Sequence, residues 1–240
     1  MVTSALTGVT ASVGNLNATD DREKKESVFY QMTFINYIIY SFCSIAFIVL
    51  LNPFIGLWLG EGYVMNLGVS IALSVSFFID GVRNPGFIFR TTLGLFEKGK
   101  ATPYISAIVN IVTSIILCKM LGVVGIFIGT SIAQLLSYVW IDPYLIHKYE
   151  FKTSVKKYFL KYIKYIIVFA FEIVITLYIS KLINNNDFVG FCIKCFVVII
   201  IPNLINIIIF GKSDEFNELM KKFIHPIIEK IRKREKINEN

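Results

Sequence analysis

The chain has little of what site chemistry usually requires. Its 240 residues contain two histidines, His147 and His225, far apart, and four cysteines. Cys43, Cys118, Cys192 and Cys195 all fall inside or at the end of apolar stretches, which argues against a disulfide framework. Cys192 and Cys195 form a C-x-x-C pair without a second pair or a nearby histidine, so no metal site is expected. There is no phosphate-cradling glycine loop, no nucleophile triad and no nucleic-acid module. No acid and base pair stands at either end of the apolar stretches, so an enzyme, even one acting on a lipid-linked substrate, is disfavoured, and no cofactor is called for. Met1 to Ala11 lacks the basic n-region and long apolar core of a cleavable signal. The sharpest shortage is local: Asn52 to Tyr63 and Asn184 to Asp187 contain no Lys or Arg at all.

Long apolar runs, by contrast, are abundant. Phe34 to Leu51, Val64 to Arg83, Ala101 to Cys118, Val123 to Ile141, Tyr162 to Ile183 and Phe188 to Phe210 are each long enough to cross a bilayer of roughly 30 Å. If the chain crosses six times, one side receives the arm with Arg22, Lys24 and Lys25, the loops Asn84 to Lys100 and Asp142 to Lys161, and the tail after Phe210. That side collects nineteen Lys and Arg, and the other only Lys119. This asymmetry predicts a multi-pass protein with both termini cytoplasmic. The composition agrees, with 55% hydrophobic and 15% aromatic residues and a mean hydropathy of +0.64. The net charge of +7 then calls for anionic lipid headgroups rather than a nucleic acid. The fold class expected is all-α integral membrane with six transmembrane helices.

Several blocks carry a family resemblance. Ala11-Ser12-Val13-Gly14-Asn15-Leu16-Asn17-Ala18, then Asn52-Pro53-Phe54-Ile55-Gly56-Leu57-Trp58-Leu59-Gly60 and Gly94-Leu95-Phe96, resemble the C-terminal half of bacterial polysaccharide flippases. So do Asn110 to Leu117 and Gly122 to Thr130. These flippases belong to the multidrug/oligosaccharidyl-lipid/polysaccharide exporter superfamily, and the similarity covers about residues 3 to 151. The resemblance implies a MATE-like C-terminal lobe in a bacterial cytoplasmic membrane, acting on undecaprenyl-pyrophosphate-linked oligosaccharide. It also implies that residues 1–33 are the end of a preceding helix with a cytoplasmic arm, 34–151 four superfamily helices and 152–211 an extra helix pair. The partners implied are membrane lipids, the lipid-linked oligosaccharide, and an N-terminal lobe or a second copy. The alternatives are a drug or cation exporter of the same superfamily, or a non-transporting membrane remnant or scaffold.

Packing faces and polar positions can be read within the runs. Gly125, Gly129, Ala133 and Ser137 form a small-residue ridge at i+4 spacing, and Asn110, Ser114 and Cys118 form a matching stripe. With only Lys119 to Gly122 between them, these runs should make a tight antiparallel hairpin. Asn36, Tyr40 and Ser44 share a face that either lines a hydrophilic path or hydrogen-bonds to a neighbouring helix. In the second run Gly68, Ala72, Ser76 and Asp80 align, and Pro85 with Gly86 should end or bend the helix just beyond Arg83. Asp80 and Arg83 can pair locally near the cytoplasmic boundary. Alternatively Arg83 or Arg90 faces an inner cavity, where a guanidinium suits a pyrophosphate. Asp80, Arg83, Arg90 and Asn36 are therefore the candidate substrate-binding residues.

Glu172 stands near the middle of the fifth run with Thr176 and Ser180 on its face, and a charge at that depth demands a partner, a proton or water. Lys194 is the nearest cation by depth, with an offset of roughly 6 Å. A Glu172 to Lys194 ion pair thus competes with a proton-coupling role. Pro202 and Asn203 predict a kink in the last run. In residues 212–240 apolar positions from Phe216 to Ile231 alternate with Lys and Arg. They read as a basic amphipathic helix on the inner leaflet, interrupted by Pro226, with docking on a partner helix as the rival.

Overall fold

In lipid an apolar run must satisfy its own backbone, and a helix does so locally. The computed structural model describes residues 2–183 and 187–221, with side chains from residue 10 onward. Among these residues every regular element is helical. Helix α1 spans Val2–Asn17 and α2 Arg22–Leu59; a short 3-10 turn, Glu61–Tyr63, leads to α3, Leu67–Thr92. The short α4, Phe96–Gly99, precedes α5, Thr102–Leu121, and α6, Val123–Leu136. Helix α7, Tyr138–Ile146, follows a break at Ser137 and passes into a π-helical turn, His147–Phe151. Helices α8, Lys156–Lys181, and α9, Phe188–Phe210, form a second pair, and α10 is Asp214–Leu219. Six segments are long and apolar enough to span a membrane, with α4–α5 counting as one and α6 through the π turn as another. The protein is a multi-pass helical bundle. The end that carries the Lys- and Arg-rich loops is called the basic end below.

Helix α2 is the axis of the bundle. Its 38 residues amount to roughly 57 Å at 1.5 Å per residue, well beyond a bilayer core. Asp21 caps its start by accepting the Lys24 amide at 3.0 Å, and Gly60, at φ 97°, ends it. Phe34, Tyr37, Ser41, Ser44, Ile45 and Ile48 recur at three- and four-residue intervals and are all buried. Against this stripe lie α3, α8 and α9. The core is aromatic: Tyr37 stacks on Tyr165 at 4.5 Å and Phe78 on Phe169 at 3.8 Å. Nearer the basic end Phe29 meets Phe89, Phe151 and Tyr158. The extra pair α8–α9 therefore shares one core with the helices before it.

Helix α3 departs from expectation. Rather than ending beyond Arg83, it continues through Pro85 to Thr92. Proline removes the N–H that would serve the carbonyl four residues back, here Gly81. That carbonyl accepts instead from Asn36 Nδ2 on α2, at 2.9 Å. Helix α9 likewise runs through Pro202, with Asn203 Nδ2 donating to Ile199 O in its own helix at 2.7 Å.

Helix α1 packs its last turns on the basic end of α3, burying Val13 and donating from Asn17 Nδ2 to Thr92 Oγ1 at 2.6 Å. At the opposite end Trp58 and Tyr63 are exposed, as an interfacial aromatic belt requires. Most of the basic tail lies outside the described residues. Its first turn, α10, puts Phe216 and Leu219 against the core beside Phe34, and Glu215 pairs with Lys161.

The α5–α6 hairpin forms as its small residues require. A Cβ at Gly125 would stand 2.1 Å from Leu117 O, and one at Gly129 2.5 Å from Ser114 Oγ. Thr113 Oγ1 donates to Gly129 O at 3.1 Å across the same contact. Helix α5 touches the bundle chiefly here and turns Ile108, Ile111 and Ile115 outward. Gly125→Val should therefore cost about 1–3 kcal/mol of stability through overpacking. Gly62→Ala, where nothing lies within 4 Å of the added carbon, should be neutral. Thermal unfolding of both variants in detergent micelles checks the difference.

Candidate functional site

Continuation of α3 through Pro85 changes the depth of its charges. Asp80 lies twelve residues before Thr92, roughly 18 Å along the axis, and thirteen after Leu67, roughly 20 Å. It therefore sits near the middle of this candidate span by helix length. Arg83 Nη2 donates to Asp80 Oδ1 at 2.5 Å, so the pair expected from the i+3 spacing is present. The Asp80 side chain is 55% exposed and that of Arg83 20%.

Around this pair the bundle surface is polar. Asp80, Arg83, Asn84, Phe87 and Tyr138 line a groove of about 240 Å³, and Gln134 Nε2 donates to Asp80 Oδ1 at 3.4 Å. The Tyr138 ring bridges two guanidinium groups, with Arg83 4.6 Å and Arg90 5.9 Å from its centroid. Arg83 holds its Nε buried without a partner. The groove thus presents an exposed carboxylate, a guanidinium with unused donor capacity and a flanking aromatic wall at membrane depth. Such a set can bind an oxyanion in competition with Asp80.

Arg90 and Asn36 have other tasks. Arg90 is buried, and its Nη1 lies 3.0 Å from Asp142 Oδ1 on α7. Neither carboxylate oxygen of Asp142 is in hydrogen-bond alignment, so charge rather than geometry holds the pair. Helix α4 closes over it: a Cβ at Gly99 would stand 2.9 Å from Arg90 Nη1. Arg90 is therefore a tie between α3 and α7, with its charge already answered. Asn36 replaces the donor lost at Pro85, and Tyr40 lies flat on Gly81, where an added Cβ would come within 2.0 Å of its ring. At Asn36 and Tyr40 the polar face of α2 serves helix packing.

The proposed clamp between Glu172 and Lys194 does not form among the described residues. Glu172 is fully buried on α8 beside Tyr37 and Asn206. Lys194 lines a cavity toward the opposite end with Asn52, Ser180 and Lys181. Ser180 is eight residues from Glu172, roughly 12 Å along the axis and twice the offset expected. The register of the α8–α9 pair brings Asn206 and not Lys194 to the level of Glu172.

Sequence reasoning missed Asp142, Gln134 and Tyr138. Asp142 ends an apolar run and reads as the first residue of a loop. Nothing in the sequence marks it, because its contact with Arg90 exists only once α7 lies beside α3. No family model matches the chain, and no curated protein or solved structure matches it. What the geometry carries is a multi-pass membrane bundle, consistent with a transporter, with a charged groove at mid-span.

Two substitutions test the assigned roles. Arg90→Ala leaves Asp142 buried and uncompensated, so it should cost about 3–5 kcal/mol, with much of that recovered in the Arg90→Leu/Asp142→Leu double variant. Asn36→Leu should cost about 1–3 kcal/mol by orphaning the Gly81 carbonyl. Pro85→Ala, which restores the helix N–H, should rescue it. Denaturation of single and double variants in micelles gives both coupling energies.

Proposed function

We propose that the chain is one lobe of a membrane exporter that moves undecaprenyl-pyrophosphate-linked oligosaccharide for surface polysaccharide synthesis. On this reading it sits in a bacterial cytoplasmic membrane with both termini inside, a placement supported by the Lys and Arg asymmetry. The observation that carries the reading is the exposed Asp80–Arg83 pair in the middle of α3. Charged residues there cost about 2.5–3.5 kcal/mol each on insertion scales, so they belong to an aqueous cavity and not to lipid. A second body, either an N-terminal lobe or another copy, would close that cavity.

The groove has the parts such a substrate needs. Arg83 offers a planar fork to a phosphate, and release of Asp80 makes its donors available. Tyr138 and Phe87 flank it with aromatic surface. Binding at the midplane, with access alternating as one body rocks against another, is the general arrangement of transporters built from paired halves.

Complementation of a flippase-deficient bacterium tests the reading. Surface polysaccharide should return with this chain, either alone or joined to an N-terminal lobe; failure of both removes the proposal. In a complementing strain Arg83→Ala should lower export about tenfold at unchanged protein level, comparable to the loss of one charge-assisted hydrogen bond. Arg83→Lys should fall between, because an ammonium keeps the charge and loses the fork.

A further inference from the structure

Away from the groove, α8 carries a set of polar groups that packing does not explain. Glu172 and Thr176 are completely buried, Ser180 nearly so. The carboxylate of Glu172 has only the Asn206 side chain beside it as a polar neighbour, and the hydroxyls of Thr176 and Ser180 have no partner. Ser44, on α2 and two turns from Tyr37, is also fully buried with its hydroxyl unpartnered. Buried polar groups are ordinarily paired, and three unpartnered hydroxyls together with a buried carboxyl call for a reason.

Their order along the axis supplies one. Ser180 lines a cavity of about 350 Å³ together with Asn52, Lys181 and Lys194. A second cavity of about 240 Å³, toward the opposite end, shares Asn52, Pro53 and Lys194 with it and adds Glu61 and Asp187. From this vestibule Ser180, Thr176 and Glu172 descend one helix face at four-residue steps, so each hydroxyl stands one turn from the next polar group. A hydroxyl both donates and accepts, so with a water bridging each gap of about 5–6 Å the ladder can pass a proton. Beyond Glu172 the ladder meets Asn206, whose Oδ1 already accepts from Tyr37 at 2.9 Å, and the stacked rings of Tyr37 and Tyr165.

We propose that Glu172 is an exchangeable proton-binding site inside the membrane, reached from the opposite end through Ser180 and Thr176. An ionised carboxylate without a counter-charge is far costlier to bury than the neutral acid, so a proton is the ligand this site is suited to take. The groups that face it are few. Helix α2 presents Tyr37, α9 presents Asn206 and, further toward the vestibule, Lys194, and α3 reaches α8 through Phe78 against Phe169. No ion pair involves Glu172 among the described residues, so no charge competes with the proton. A metal cation fits poorly, because hard cations gather about six oxygens or more, whereas Glu172, Thr176, Tyr37 and Asn206 offer five at most, and the Tyr37 hydroxyl and Asn206 Oδ1 are already engaged with one another.

The inference stands apart from the lipid-linked substrate, and its test reads the proton site directly. The full chain, reconstituted in lipid vesicles, is treated with dicyclohexylcarbodiimide, a lipid-permeant reagent that attacks protonated carboxyls, and adducts are located by peptide mass spectrometry. The expected result is an adduct on Glu172, absent in Glu172→Gln. Its formation should fall about tenfold per pH unit once the site titrates, when pH is raised on the vestibule side. Thr176→Val combined with Ser180→Ala should slow that response about tenfold or more while leaving the final labelling unchanged. Absence of an adduct in folded protein, or labelling indifferent to vestibule pH, overturns the proposal. Protection by sodium at fixed pH also overturns it, in favour of a metal-cation site.

Discussion

The hydrogen bond from Asn36 to the Gly81 carbonyl supports the arrangement of α3 and everything mounted on it. A proline in a helix leaves a carbonyl unserved, and in lipid no water replaces the lost donor. Because α2 supplies that donor at 2.9 Å, α3 runs on for two turns beyond Pro85. The consequences are positional. Asp80 and Arg83 move from a boundary to the middle of the span, and Arg90 comes level with Asp142 on α7. Gly81 adds to the same joint, since only a residue without a side chain lets the Tyr40 ring lie against it. One amide and one missing Cβ thus set the depth of the charged groove.

Two kinds of polar group at membrane depth now stand side by side, and they differ in what answers them. Arg90 and Asp142 satisfy one another inside the protein, and such a pair fixes two helices at the cost of desolvating both charges. Asp80 and Arg83 also pair, yet more than half of the Asp80 side chain remains open. Glu172 has no answering charge at all. A fully buried pair is a structural joint, and an open or unanswered group keeps binding capacity in reserve. On that ground Arg90 is a joint between α3 and α7, Arg83 stays a candidate for binding substrate, and Glu172 stays a candidate for holding a proton.

Much of this was legible in the residues. The six spans follow from run length, and the α5–α6 hairpin from Gly125, Gly129 and the short turn at Gly122, because a ridge of small side chains has few uses in lipid besides close approach. The Asp80–Arg83 pair follows from helical spacing alone. What was not legible depends on neighbours distant in sequence. Pro85 looks like a terminator until Asn36, on α3's packing partner and 45 residues before Gly81 in sequence, is placed opposite the Gly81 carbonyl. Lys194 looks like the partner of Glu172 if depth is counted from the connecting loop, but packing sets the register of α8 and α9, and it selects Asn206. Asp142 is unremarkable in sequence because only the fold brings α7 beside α3.

The groove and the Glu172 ladder lie on different sides of α2, one on α3 with α6 and α7, the other on α8 with α9. They share the central helix: Asn36 and Tyr40 face α3 at Gly81, while Tyr37 turns to Asn206 and Tyr165. Positions 36, 37 and 40 occupy a single helical turn. Any rotation of α2 that loosens one contact must therefore shift the other, since a packed helix turns as a unit. Phe78 tightens the connection, lying on α3 one turn from the groove and stacking at 3.8 Å on Phe169, one turn from Glu172. A change in the charge of Glu172 would act on a face that α2 and Phe78 hold in register with Arg83. Were Glu172 to exchange its proton as proposed, the stacked aromatic layer between it and the groove would be the contact through which one could act on the other.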